Sequence, residues 1–352
     1  MLSKLKVIDA STVLAGPSVG TFFAELGAEV IKVENPAIPD VTRSWKLPGE
    51  NQEATVSAYF SSVNYQKKYQ GVNLKSEEGR ADFLTLLRDA DVLITNFKKG
   101  DAEKFGLTDE VLFEINPRLI IGKISGYGLD SDRVAYDLIL QAETGFMSMN
   151  GTPDSGPVKM PVALIDVLAA HHLKEGILLA LLKREQNGKG SSVHVSLYDA
   201  AVCSLVNQAS NYLMSGHVPK RIGSLHPNIA PYGELFRSKD GRTITFAIGS
   251  NAHFQRLCHF LDLDELIEDN RFKENQDRVK NRDELYGILD ARVANKTVSE
   301  WMEWSAKSYV PLGVVRDLSE VLNEEKAKSL IREEELHGLQ TKRVSSLAFK
   351  IS

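Results

Sequence analysis

The chain has 352 residues, of which 43% are apolar and 25% charged, and carries a formal net charge of −5 at pH 7. That is the make-up of a soluble enzyme of about two domains with a large core, without the broad positive field that nucleic acid or an anionic membrane would select. The greasiest stretch, GILLALLK, is too short to span a bilayer, and Cys203 and Cys258 form neither a CxxC pair nor a zinc-ligand spacing.

Both cysteines read as buried thiols in a reducing compartment. An alternating strand begins almost at the N-terminus, with no apolar leader core before it, so the expectation is a cytoplasmic protein. LKVIDA reads as a short apolar strand and STVLAGPSVG as a loop punctuated by Gly and Pro. SVGTFFAELGA reads as a helix, with Pro17 suited to its first turn and Gly27 to its end, and EVIKVE as a second strand. A helix through EEGRADFLTLLRDA, the strand DVLITNF, a helix near DEVLFEIN and the strand LIIGKISGYG continue the alternation. Such alternation predicts a doubly wound, Rossmann-like, mostly parallel α/β sheet. From Asp166 to about Arg184 the apolar positions predict a long amphipathic helix, ended by the glycines of NGKG and followed by the strand SSVHVSLYD.

Beyond about residue 205 the character changes. HPNIAPYGELFRSKDGRTITFAIG predicts a hairpin with a Lys-Asp-Gly turn, and three charge-rich helical segments follow. VPLGVVRDLSEVL then reads as a returning strand and helix. The expected organisation is a large α/β domain over 1–204, completed by 311–352, and a smaller α+β domain over 205–310.

The loop Val13-Leu14-Ala15-Gly16-Pro17 follows a strand and opens onto a helix, a place suited to a phosphate or a flat nucleotide ring. It equally fits a tight turn in any doubly wound protein. It is not GxGxxG, so a dinucleotide fingerprint fails, although Glu34 mimics the ribose-binding acid of such folds. Asn96, Phe97 and Lys98 lie just past a strand end, where an aromatic ring and a base could hold adenine and phosphate. His171 and His172 are neighbours on one helix and do not share a face, so they read as structural. His226 reads as a loop histidine.

The stretches LAGPSVGTFFAELGAEVIKVE, ITNFKKGDAEKFGL, INPRLIIGKISGYG and PVALIDVLAAHHLKEGILLALLKREQNGKGSSVHVSLYDA, in this order, resemble the class III CoA-transferase family (CaiB/BaiF type). The resemblance covers nearly the whole chain and returns at HPNIAPYGELFRSKDGR and VPLGVVRDLSEVL. Two features depart from the family's pattern: the chain reads LAFKIS where members often carry PxLGxHTxxVL, and no glycine-rich run occurs between Pro227 and Gly249.

The resemblance implies an interlocked homodimer that acts on an acyl-CoA and a carboxylic acid, with coenzyme A as substrate and no tightly bound cofactor or metal. It implies that Asp166, in VALIDVLAA, is the nucleophile. The residue itself is compatible: an unperturbed Asp is ionised at neutral pH and a helix start favours an anion. A plain helix cap is the bland alternative, and the two roles are not exclusive. Coenzyme A contacts are implied for Val13, Leu14, Ala15, Val72, Lys75, Asn96, Phe97, Lys98, Lys104, Tyr136 and Asp137, with Arg43 a weaker member of the set. Lys75 and Lys104 could equally be solvated surface lysines. The bland alternative for Tyr136 and Asp137 is a half-buried aromatic and a helix cap. Members that racemise carry Gly-His-Asp where this chain has Ala135-Tyr136-Asp137. Tyr, with a pKa near 10, is poorly matched to α-proton shuttling, which favours transfer. The rival expectations are an acyl-CoA racemase or epimerase and a catalytically silent acyl-CoA-binding protein.

Overall fold

The structure, a computed structural model, describes residues 2–351. The chain folds into two compact units, the first of residues 1–149, 157–219 and 328–352, the second of 150–156 and 220–327.

The first unit is built on a six-stranded sheet. Its strands are β1 (Lys6–Asp9), β2 (Glu29–Glu34), β3 (Lys68–Gly71), β4 (Val92–Thr95), β5 (Ile120–Ser125) and β6 (Ser191–Ser196). They run parallel in the order β3-β2-β1-β4-β5-β6. The inner strands read as unbroken apolar runs because both faces are covered, and their residues divide by a period of two. Val7, Val92, Ile94 and Ile120 pack on one face with Phe23 of the helix Ala15–Glu25 and with Ile165, Ala169, Leu173 and Ile177 of the long helix Leu164–Asn187. Ile8, Leu93 and Ile121 pack on the other face with Phe83 and Leu87 of the helix Glu77–Leu87 and with Leu112 of the helix Asp109–Ile115. The long helix ends at Gly188 in a left-handed cap, as NGKG predicts.

The structure adds two features. β3 is a short polar edge strand, KYQG, without an apolar pattern to announce it. β10 (Ile331–Leu336) and β11 (Leu339–Val344) form a charged antiparallel ribbon in which Glu333 lies opposite Lys342. Its Leu336 is buried with Val56 and Phe60. Cys258 is buried, but Cys203 is exposed, because it ends a helix (Leu197–Cys203) whose inward positions are Leu197, Ala200 and Ala201.

The second unit holds a three-stranded antiparallel sheet of β7 (Tyr232–Arg237), β8 (Thr243–Ala247) and β9 (Leu312–Val314) in that order. The β7–β8 hairpin turns through Lys-Asp-Gly, with Gly241 at positive φ. Helices Asn251–Leu261, Arg282–Val293 and Val298–Ser308 cover the sheet around Phe236, Phe246, Phe254 and Trp301. The strand read as a return to the large domain is β9. It pairs with β8, so the chain re-enters the first unit only at residue 328, and the helix Val206–Ser215 stays in the first unit.

Candidate active site

The strand order turns back between β1 and β4, and in open α/β sheets ligands bind outside the strand carboxyl ends at that point. The loops that leave β1, β4 and β5 line a cleft of about 500 Å³ there. Five of the residues singled out from sequence line it: Val13, Asn96, Phe97, Lys98 and Tyr136.

Asn96 does structural work as well. Its Oδ1 accepts the Thr12 N–H at 3.1 Å and its Nδ2 donates to the Thr12 carbonyl at 3.0 Å, which fastens the β1 loop to β4. Val13 follows with φ +75°, a conformation that a β-branched residue rarely adopts. Phe97 is half-buried and meets Phe105 edge-on at 5.8 Å. Lys98 is exposed, as are Lys75 and Lys104, which lie outside the cleft lining. Leu14 is half-buried and Ala15 buried at the start of the first helix.

Two residues of the implied set are engaged elsewhere. Arg43 forms a bidentate pair with Glu34, at 3.1 and 2.6 Å, and lies over the Phe60 ring at 3.8 Å. Val72 is a core residue on the β2 side, and its N–H donates to the Glu34 carbonyl. Glu34, the mimic of a ribose-binding acid, is thereby occupied by Arg43 and by the Asp40 N–H.

Asp166 is buried in the first turn of the long helix, two residues beyond its start at Leu164. It is therefore not the helix cap. That task falls to Asp137, a buried residue at the start of the helix Asp137–Glu143. The Asp137 Oδ1 accepts the Ile165 N–H at 2.7 Å, and its Oδ2 accepts from Gln141 Nε2 at 2.6 Å. Gln141 also accepts the Met160 N–H at 2.8 Å, tying the segment before the long helix to the same group. No side chain among the described residues donates to the Asp166 carboxylate. Burial, and then the nearby Asp137 charge, pushes it up from 3.8 to about 7. Desolvation and like charge thus outweigh the favourable helix start, and the group is poised to change protonation near neutral pH.

Tyr59 belongs to this cluster. Burial, then the charges of Asp166, Asp137 and Asp40, raise its phenol to about 12, so it keeps its proton. Its ring meets Trp45 edge-on at 5.1 Å. Gln141 could have been found from sequence, being four residues after Asp137 on one helix. Tyr59 could not, because only the folded chain brings it near Asp166.

The profile of CoA-transferase family III matches residues 2–349. Succinate–glutarate CoA-transferase of Agrobacterium fabrum is 37% identical over 329 residues, 91% of this chain and 81% of that protein. Acetyl-CoA:oxalate CoA-transferase of Acetobacter aceti is 36% identical over 323 residues, 91% of this chain and 82% of that protein. Among solved structures, a CAIB/BAIF family protein from Brucella suis superposes with a TM-score of 0.83 at 36% identity, covering 100% of this chain and 92% of its own. The chain belongs to the CoA-transferase family III: it is an α/β enzyme of CoA transfer acting on CoA thioesters.

Proposed function

We propose that this enzyme moves CoA from an acyl-CoA to a free carboxylic acid through Asp166. The observation that carries the reading is a buried carboxylate, unbonded by side chains and raised to about 7, on a helix start held by a second carboxylate. Burial plus a like-charged neighbour, with no cation to offset them, makes a carboxylate a candidate for chemistry. The ionised fraction is abundant at neutral pH, and a carboxylate of raised proton affinity is a stronger nucleophile by Brønsted behaviour.

The cycle balances without another reactant. The Asp166 carboxylate attacks the thioester carbonyl; a C–O bond forms, the C–S bond breaks and CoA leaves as thiolate, giving a mixed anhydride. The thiolate attacks the aspartyl carbonyl, forms the aspartyl-CoA thioester and releases the first acid as carboxylate. The incoming carboxylate attacks that thioester, forming a second anhydride and freeing the thiolate again. The thiolate then takes the new acyl group and returns Asp166 as carboxylate. Asp137 and Gln141 hold the helix start on which Asp166 is aimed, and the cleft lined by Val13, Asn96, Phe97, Lys98 and Tyr136 receives CoA.

The names of both relatives contain short dicarboxylates, succinate, glutarate or oxalate. We carry that class over as acceptor. The protein works as a homodimer in the cytoplasm on this reading; no helix among the described residues is long and apolar enough to cross a membrane.

The test incubates the enzyme with a chiral 2-methylacyl-CoA in deuterated water and with succinyl-CoA plus labelled dicarboxylic acids, read by mass spectrometry. CoA should pass to an acid while the α-hydrogen stays. Deuterium entering the α-carbon without an acceptor would replace transfer by racemisation. CoA binding with no exchange at any acid would leave a silent binding protein.

A further inference from the structure

The strained Val13 has an identifiable restraint behind it. Asp40 and Lys32 are fully buried, with Lys32 Nζ 3.5 Å from Asp40 Oδ2. That same Oδ2 accepts the Val13 N–H at 3.0 Å, while Oδ1 accepts the Thr42 N–H at 3.0 Å and the Thr42 hydroxyl at 2.7 Å. The Lys32 ammonium also donates to the Ser11 carbonyl. Asp9 Oδ1 holds the Ser11 N–H at 3.1 Å, and Asn96 holds Thr12 by both backbone groups. Three successive residues, Ser11, Thr12 and Val13, are thus gripped by the buried or half-buried side chains of Asp9 in β1, Lys32 in β2, Asn96 just past β4, and Asp40. Gly16 and Gly20 allow this packing. A Cβ on Gly16 would strike Ser11, and one on Gly20 would lie 2.8 Å from Asp9 Oδ2.

We infer that the buried pair Lys32–Asp40 is a positioning device for the acyl-CoA cleft. It holds Val13 in the left-handed conformation from which that residue forms the cleft wall, and it touches no substrate. A conformation this uncommon for valine persists only when its surroundings over-determine it. Ligand binding is strongest when the binding-competent loop is populated before the ligand arrives; otherwise the apparent Kd rises by the reciprocal of that population. The inference rests on the proposal that this cleft receives CoA.

Asp40→Asn tests it with almost no change of volume, but it also takes the counter-charge from buried Lys32, so urea unfolding is measured beside binding and only the folded fraction is scored. An amide has one acceptor oxygen in place of two, so it must abandon either Val13 or Thr42. Asp40→Glu is the companion variant, which keeps the charge beside Lys32 but displaces the oxygen from Val13. The readouts are Kd for CoA by calorimetry, KM and kcat for acyl-CoA, and circular dichroism. Each variant should raise both Kd and KM about tenfold and leave kcat within about threefold, the signature of lost loop population. Adding Val13→Gly should restore most of the lost affinity, measured against Val13→Gly alone because that valine is itself cleft wall, since glycine enters the left-handed region freely. A merely structural defect would not be repaired by that second change. CoA binding unchanged in both folded variants, or no recovery on adding Val13→Gly, overturns the positioning role while wild type still binds CoA. A wild-type protein that binds no CoA overturns the site assignment and the role with it.

Discussion

Two buried carboxylates of the first unit, Asp9 at the end of β1 and Asp166 at the start of the long helix, are shifted in opposite directions from the ordinary carboxylate range. Burial alone would raise Asp9, but the charges of Lys32 and Lys67, with hydrogen bonds from Lys67 and Ser11, outweigh it and hold the group at about 2. Lys67 lies 2.7 Å from Asp9 and also donates to the Pro17 and Val63 carbonyls and to Asn64. Asp166 has comparable burial, no such donors and a carboxylate as neighbour, and is raised to about 7. Burial does not by itself distinguish scaffold from reagent; the sign of the neighbouring charge does. The Asp9 region fixes a loop, and the Asp166 region keeps a carboxylate available.

Converting each acid to its amide separates the two roles. Asp166→Asn should lower CoA exchange by about 10⁴-fold or more while CoA binding by calorimetry stays within about threefold, since on the proposed mechanism the substitution removes the nucleophile and little else. Asp9→Asn should act on the fold. It leaves the Lys67 ammonium buried without its counter-charge, at a cost of about 3–5 kcal/mol, seen as a lower urea midpoint with part of the protein insoluble. An Asp9→Asn protein as stable as wild type would remove the distinction.

The pH dependence sharpens it further. For Asp9 the folded value lies below the unfolded one, so its contribution is present above about 4 and is lost as pH falls toward 2. For Asp166 the folded value lies above the unfolded one, so its contribution is present below about 4 and is lost as pH rises through 7. Asp166→Asn should therefore melt several degrees above wild type at pH 8, with the gap closing toward pH 4. In wild type, kcat/KM for acyl-CoA should fall about tenfold per unit below pH 7 and level off above pH 8. A profile flat down to pH 5 would assign Asp166 an ordinary carboxylate value.

The smallest effect is expected from Tyr59→Phe. The phenol keeps its proton in the field of Asp166 and Asp137, and its loss should reduce kcat by about three- to tenfold, measured at saturating acyl-CoA. No change in kcat would make Tyr59 a packing residue with Trp45.

The parallel sheet was legible because β1, β2, β4 and β5 are short apolar runs between helical periods, a pattern that burial on two faces imposes. β3 and the β10–β11 ribbon were not, because polar edge strands are stabilised by backbone pairing that leaves no apolar period. The position of Asp166 at a helix start was legible, but its proton affinity was not. Read alone, a helix start favours an ionised carboxylate, and only the fold brings Asp137 and burial against it. The engagement of Arg43, a weaker member of the implied contact set, is hidden because Glu34, nine residues earlier, gives no sign in sequence of turning toward it.

The nucleophile assignment is tested most directly by trapping Asp166 as an activated acyl group. Enzyme mixed with succinyl-CoA is quenched with hydroxylamine, digested and mapped by mass spectrometry. A hydroxamate is expected on Asp166 alone, dependent on acyl-CoA and absent from Asp166→Asn. An unmodified Asp166 in an enzyme that is turning over, or a hydroxamate on another residue, would contradict it.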